Sequence, residues 1–426
     1  MLTEDAFTSL TKYWDNGMKE FFKVTDLKRV LEYRTEFPQV DTEEIPLLET
    51  VGRILAEDIV ADVDLPDFPR AIVDGYALQG ASTFGASEGN PAYLTVTGSI
   101  AMGESPELTI GPGEAVRIAT GGMLPQGANG VVMIEHTEAI DDATIEAYRS
   151  IAPGQNMISI GEDIKKKSRV LMQGQMIRPQ EAGLLAALGR QKVAVFQKPI
   201  IGIISTGDEI IPINETPNLG QIRDINSYTL TGLIHEAGAQ AISFGIVRDD
   251  FETLLEKCKI ALNQCDMILI SGGSSVGTRD FTVDVLSALE DAKILVHGIS
   301  ISPGKPTILA KVQNKAFWGM PGHVVSSMIV FSRVIRPFVK HFSGQTHGQE
   351  KEHRLNAILT RNVASTQGRV DFIRVRLRQE EDKLCADPVL GKSGLISTMV
   401  FADGLVEIDI NTEGLDKGTV VEVIPM

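Results

Sequence analysis

The chain has little cysteine, a minority of basic residues and no long apolar run, and each shortage removes a class of function. Cys258, Cys265 and Cys385 form no CxxC pair and are odd in number, so neither a disulfide framework nor a zinc ribbon is indicated, and a reducing compartment suits them. Only 40 Lys and Arg stand against 56 Asp and Glu, a formal net charge of -16, and the one basic run is Lys165 to Lys167. This balance argues against nucleic acid or an anionic membrane as a partner held by bulk electrostatics, so a polyanionic ligand has to be captured by a local site. No stretch reaches the ~20 apolar residues of a membrane span, and the chain opens with Glu4 and Asp5 rather than an apolar leader, which predicts a soluble, cytoplasmic protein. Internal repeats and low-complexity tracts are also missing.

What is present reads as several globular domains, since 426 residues exceed one ordinary hydrophobic core. Leu27, Val30 and Leu31 at helical spacing predict an entry helix ending near Pro38. From Ile54 to about Ile160, Gly, Pro and β-branched residues (AYLTVTGSI, NGVVMIEHTEAI) predict short strands and tight turns. PQEAGLLAALG predicts a helix opened by Pro179 and ended by Gly189. Residues 200 to about 342 alternate apolar strands (IIGIIS, AISFGIV, MILISG, TILAKV, AFWGM) with helix-length segments such as NSYTLTGLIHEAG and VVSSMIVFSRVIRPFVKHF. That alternation predicts a mostly parallel sheet covered by helices, which binds ligands at the carboxyl ends of its strands. Past about Gly344, FIRVRL and LVEIDI with Gly-rich links predict a small all-β domain or barrel, with GQTHGQEKE as the linker.

The segment DMILISGGSSVGTRDFTVD carries the most chemistry: an apolar strand runs into a glycine- and serine-rich turn and then into a helix start. Ser271, Gly272, Gly273, Ser274, Ser275 and Gly277 would offer successive backbone N–H groups as an anion nest, although such turns also serve as plain βα connections. Ser205-Thr206-Gly207-Asp208-Glu209 ends the first strand of this region, and its hydroxyls, glycine and adjacent carboxylates suit phosphate and a hard cation such as Mg²⁺. Asp224, Asn226 and Ser227, and Arg248 with Asp249, read singly as caps or surface turns. SPGKPT presents Lys305 on a stiff loop as a counter-charge for an oxyanion. A Walker A loop is excluded, because five residues separate Gly298 from Gly304 and Pro306 stands where the metal-binding hydroxyl belongs. GMPGHVVSS opens a long apolar helix, and His323 there reads as a helix-start hydrogen-bonder. Asp74 and Thr120, each beside glycine, read as turn residues.

The ordered set VDGYA, TGGMLPQGANGVV, GEDI, STGDE, GQIRDINS, SGGSSVG with Asp280, PGKP and MPGH resembles the MoeA family of molybdopterin molybdenumtransferases, also represented by the E domain of gephyrin. The resemblance covers about residues 28 to 426 and implies a multidomain α/β plus β fold. It implies a helical and linker domain at 1–68 and 161–198, a β-rich domain at 69–160, a MogA-like α/β domain at 199–343 and a C-terminal β-barrel-like domain at 344–426. The implied substrates are molybdate and adenylylated molybdopterin, with Mg²⁺ assisting metal insertion and AMP release. The implied partners are a molybdopterin adenylyltransferase upstream, apo-molybdoenzymes or their chaperones downstream, and a second copy in a homodimer. Residues carried over to the active site are Asp74, Thr120, Asp163, Glu209, Asp249, Asp280, Lys305 and Pro321. Ser205, Thr206, Gly207, Ser271, Gly272, Gly273, Ser275, Gly277, Pro303 and Gly304 join Lys305 as binding residues, and Asp208, Glu209, Asp249 and Asp280 as candidate metal ligands. Ser302 replaces a basic residue frequent in the family, and His323-Val324 replaces Asn-Pro. These departures leave room for a tungstate-preferring enzyme or a non-catalytic carrier or scaffold. TRDFT resembles a motif of molybdopterin adenylyltransferases, but those enzymes resemble the α/β region alone.

Overall fold

The computed structural model describes residues 24–272, 281–346 and 353–426. Gly273, Ser275, Gly277 and Asp280, on which four of the expected contacts fall, lie outside the described residues. Two compact units emerge, one from residues 57–173 and 179–192 and the other from the rest of the chain.

The larger unit begins with helix α1 (Leu27–Glu32), started by Asp26, whose carboxylate accepts from Lys28 N at 2.8 Å, and buried through Leu27 and Val30. The smaller unit is built on a six-stranded sheet of β1 (Gly75–Leu78), β2 (Ala92–Ile100), β3 (Glu114–Ile118), β4 (Gly130–Met133), β5 (Thr137–Ala139) and β6 (Thr144–Ala147). Its order is β4-β1-β3-β2-β6-β5, antiparallel except for β2 against β3. Helix α2 (Pro179–Ala187) belongs to the same unit, and Gly189, at φ +72°, follows its end.

The α/β region consists of β7 (Ile200–Thr206), α3 (Asn226–Glu236), β8 (Gln240–Val247), α4 (Phe251–Gln264), β9 (Met267–Ser271), α5 (Phe281–Ser287), β10 (Ala292–His297), β11 (Ile308–Val312) and β12 (Lys315–Met320). Helices α6 (Val324–Val330) and α7 (Arg336–Phe342) follow, joined through a π-helical stretch at Phe331–Ile335. Pro337 sits just past that stretch, where its missing N–H and its ring prevent an ordinary helical turn. The sheet order is β8-β7-β9-β12-β11-β10, with the first four strands parallel, β11 reversed, and β10 antiparallel to β11. The expected mostly parallel sheet is therefore present. Strand β10 is an addition to the sequence reading, and AKILVH is half-buried because it closes an edge.

Both faces of this sheet are covered, as the continuous apolar runs require. Neighbouring residues of β12 point to opposite sides. Trp318 lies with α1, α3 and the closing helices, while Phe317 lies with α4 and α5. Trp318 meets Phe338 edge-on at 5.0 Å between ring centroids. The last strands, β13 (Leu355–Leu359), β14 (Val370–Glu380), β15 (Lys383–Pro388), β16 (Gly404–Ile408) and β17 (Val420–Pro425), close in the ring β14-β15-β13-β17-β16-β14. This is the expected C-terminal barrel, and closure leaves few strand edges unpaired. Among the described residues no helix is long and apolar enough to cross a membrane.

Candidate active site

The register of the parallel strands aligns their carboxyl ends. Ser205 of β7 pairs with Ser271 of β9, Ser271 with Met320 of β12, and Thr206 with Val247 of β8. STGDE, RDD, Ser271-Gly272 and MPGH therefore leave the sheet along one edge, where open α/β sheets bind ligands. PGKPT joins them because β11 runs antiparallel, with Ile308 opposite Gly319, so the loop before β11 lies at the edge where β12 ends. Ser205, Thr206, Gly207, Asp208, Glu209, Asp249, Ser271, Gly272, Pro303, Gly304, Lys305 and Pro321 are thus brought to one end of the sheet.

Close backbone approach sets the local shape. Gly272 has φ +110°, and a Cβ there would lie 2.1 Å from the Thr206 carbonyl oxygen, so only glycine lets the two strand ends converge. The Thr206 hydroxyl donates to Asp249 Oδ1 at 2.7 Å, and the Asp249 N–H approaches Asp208 Oδ1 at 3.4 Å. On the other rim Lys305 is exposed, while Thr307 holds its loop by donating to the Gly304 carbonyl at 2.6 Å. Pro321 is buried and its carbonyl accepts from the Ser327 hydroxyl. His323 stands at the N-cap of α6 but makes no side-chain bond to the helix start; its Nδ1 lies instead 2.8 Å from Ser393 Oγ, a partner 70 residues along the chain, so the expected helix-start hydrogen bond is replaced by a long-range one.

Behind these strand ends lies a buried polar cluster of residues that read singly in the sequence as caps or surface turns. Asp224, Asn226 and Ser227 are 7%, 7% and 8% exposed. One Asp224 oxygen caps α3 by accepting from Ser227 N at 3.0 Å, while the other accepts from the Ser205 hydroxyl at 2.9 Å. Asn226 donates to Ser271 Oγ at 2.7 Å and to the Gly322 carbonyl at 2.9 Å, tying the ends of β9 and β12 together. A cap and a buried cross-link use the same residue types. The available signal was their position one helix-start away from a hydroxyl-rich strand end.

The smaller unit brings Asp74 and Thr120 together, because antiparallel pairing of Gly75 with Ile118 sets their loops side by side. Asp74 Oδ1 accepts from Thr120 N at 2.7 Å and from its hydroxyl at 2.8 Å. The backbone N–H, and then the hydroxyl, hold the Asp74 carboxyl below the usual carboxylate range. Its stabilising contribution is therefore complete above the ordinary value of 3.8 and is lost as pH falls through the depressed one. Thr120→Ala is expected to raise the Asp74 pKa part of the way back, since the N–H remains, as read by NMR titration of the side chain. Asp163 is exposed, with its N–H bonded to the Leu65 carbonyl at 3.1 Å.

Among the described residues no three His, Cys, Asp or Glu side chains are gathered to hold a metal ion. Asp208, Glu209 and Asp249 at two adjacent strand ends nevertheless suit Mg²⁺, which takes one or two carboxylates and fills its remaining positions with water and substrate phosphate.

An α/β sheet with hydroxyl-, carboxylate- and glycine-bearing turns on its carboxyl edge, in one chain with a β-rich unit and a closed barrel, defines a multidomain α/β protein of the strand-end ligand-binding class. Three family models match in chain order: "MoeA N-terminal region (domain I and II)" over residues 23–189, "Probable molybdopterin binding domain" over 202–341 and "MoeA C-terminal region (domain IV)" over 356–426. A protein of Methanocaldococcus jannaschii is 38% identical over 93% of this chain and 94% of its own length. The molybdopterin molybdenumtransferase of Haemophilus influenzae is 35% identical over 91% and 95%. The crystal structure of the molybdopterin biosynthesis MoeA protein from Pyrococcus horikoshii OT3 superposes with a TM-score of 0.83 at 33% identity, covering 95% of this chain and 100% of that one. The chain belongs to the MoeA family, and it is a molybdopterin molybdenumtransferase-type enzyme of molybdenum cofactor biosynthesis.

Proposed function

We propose that the enzyme inserts molybdenum from molybdate into adenylylated molybdopterin and releases AMP, with Mg²⁺ assisting. The observation that carries this reading is the convergence of Thr206, Asp208, Asp249, Ser271, Gly272 and Lys305 on one strand-end crevice. A pyrophosphate-bearing substrate needs cations and backbone donors, and cleavage of its phosphoric anhydride needs stabilisation of charge on the departing AMP. Lys305 supplies fixed positive charge on one rim. Asp208, Glu209 and Asp249 would hold Mg²⁺ on the other, together with Asp280, where the ion would neutralise phosphate oxygens. The Thr206 hydroxyl orients Asp249, while Asp224 and Asn226 keep the strand ends in place from below.

Asp74, Thr120 and Asp163 complete the reading as residues that a second copy of the chain contributes, the arrangement that family resemblance implies for a homodimer. The four-domain division at 1–68 with 161–198, 69–160, 199–343 and 344–426 is part of this proposal. So are a cytoplasmic setting, an adenylyltransferase as supplier, and apo-enzymes or their chaperones as recipients.

The test is AMP release from adenylylated molybdopterin by the purified protein with Mg²⁺, in the absence of oxyanion and with molybdate or tungstate. Molybdate-dependent release, lowered about 10²-fold or more in Asp249→Asn, is expected. Tungstate-selective release would reassign the metal. Bound substrate without any release would replace the enzyme reading by a carrier.

A further inference from the structure

The smaller unit gathers four loops at one end of its sheet. Strand β2 runs parallel to β3 with Ile100 level with Ile118, Ile118 pairs with Gly75 of β1, and Gly75 pairs with Met133 of β4. The chain therefore enters or leaves the sheet at this same end at residues 72–74, 101–104, 119–122 and 134–136. Asp74 and Thr120 stand among these loops. So do three large apolar residues, Met102, Ile72 and Ile134, which are 63%, 48% and 38% exposed. A carbon added at Gly121, next to Thr120, would lie 3.3 Å from Met102 Cε, and Ile134 N donates to the Asp74 carbonyl at 3.0 Å.

The Asp74 carboxylate is only half used. Both contacts from Thr120 fall on Oδ1 and fill its two acceptor positions, whereas Oδ2 has no partner among the described residues. Only Thr120 acts on the charge, and no basic side chain stands beside it among the described residues. Thr120 thus fixes the carboxylate in place and leaves one oxygen with two open acceptor positions.

A carboxylate that merely braces a turn accounts for the bonds to Oδ1. It does not account for large apolar side chains set round an ionised group, a combination that marks ligand sites. The charge repels an anion, so the phosphate end of a substrate does not belong here. One oxygen with two open positions is matched by two parallel N–H groups on the edge of a flat ring. A 2-amino-4-oxopyrimidine presents such a pair in its ring N3–H and its exocyclic amino group. The face of the ring suits Met102, whose flexible thioether adapts to aromatic surfaces. Molybdopterin carries this edge on its pterin, so the inference rests on the reaction proposed above and concerns the end of the substrate remote from its phosphates.

We propose that Asp74 Oδ2 accepts from the N3–H and the 2-amino group of the pterin, with Met102 and Ile134 against the ring. Fluorescence titration of 6-hydroxymethylpterin with the full chain, without Mg²⁺, oxyanion or adenylylated substrate, tests this separately from AMP release. The control is 6-hydroxymethyllumazine, which carries oxygen in place of the 2-amino group. Saturable binding of the pterin is expected, at least about tenfold weaker for the lumazine and in Asp74→Asn. Met102→Ser, at an exposed position where the fold is not at risk, should weaken the pterin as well. No saturable binding, or equal affinity in Asp74→Asn, would overturn the proposal and leave the AMP-release result standing. Binding lost in Lys305→Ala but kept in Asp74→Asn would overturn it too, by placing the ring in the strand-end crevice. Asp74-dependent binding in a protein that releases no AMP would sustain the pterin contact and count against metal transfer instead.

Discussion

Gly272→Ala is expected to destabilise the protein by about 3 kcal/mol and to abolish metal transfer. The estimate combines about 1–3 kcal/mol for a non-glycine residue held at an unfavourable φ with about 1–3 kcal/mol for overpacking. The overlap cannot be relieved by turning a side chain, since the obstructing atom is the Thr206 backbone oxygen, 2.1 Å away. Displacing Thr206 also moves the hydroxyl that donates to Asp249, so activity falls with stability. Gly418→Ala is the control: Gly418 shares positive φ, at +89°, but has nothing within 4 Å of its added carbon. Denaturant unfolding should separate the two, with the control losing about 1 kcal/mol. Equal losses would mean that backbone strain alone matters and that the close approach does not.

Asp224→Ala is expected to cost about 2–4 kcal/mol, because it removes the acceptor of the Ser205 hydroxyl and of the Ser227 N–H in a buried setting. Ser205 and Ser227 still share a contact of 2.9 Å, so part of the loss can be recovered between them. A double-mutant cycle with Ser205→Ala should therefore show a coupling of about 1 kcal/mol, measured by urea unfolding. Additive losses would show that Asp224 acts only as a helix cap. Asp224→Asn keeps an acceptor and should fall between the wild type and the alanine variant.

The parts of the molecule legible in sequence were those in which one physical demand dominates. IIGIIS and MILISG are apolar throughout because β7 and β9 are buried on both faces, and that requirement marks central parallel strands unambiguously. Pro179 and Gly189 bracket α2 for reasons local to the backbone. Strand β10 was illegible because an edge strand needs only half its side chains inside, and AKILVH carries Lys293 and His297 like a surface segment. The reversal of β11 was hidden too, since nothing in TILAKV encodes direction. In the site, the strand-end turns announced themselves by glycine and hydroxyl content. Asp224, Asn226 and Ser227 were legible as a helix start but not as buried groups, because burial of a polar group depends on partners far along the chain, such as Ser271 and Gly322.

The reversal of β11 has a mechanical side. Lys305 and Pro321 sit at the two tips of one short hairpin, turned at Gln313 and Asn314 and locked by pairing from Ile308–Gly319 to Val312–Lys315. The two loops behave as the prongs of a single stiff fork. One cannot swing outward without bending the other's root in the sheet, so the two loops keep a fixed separation.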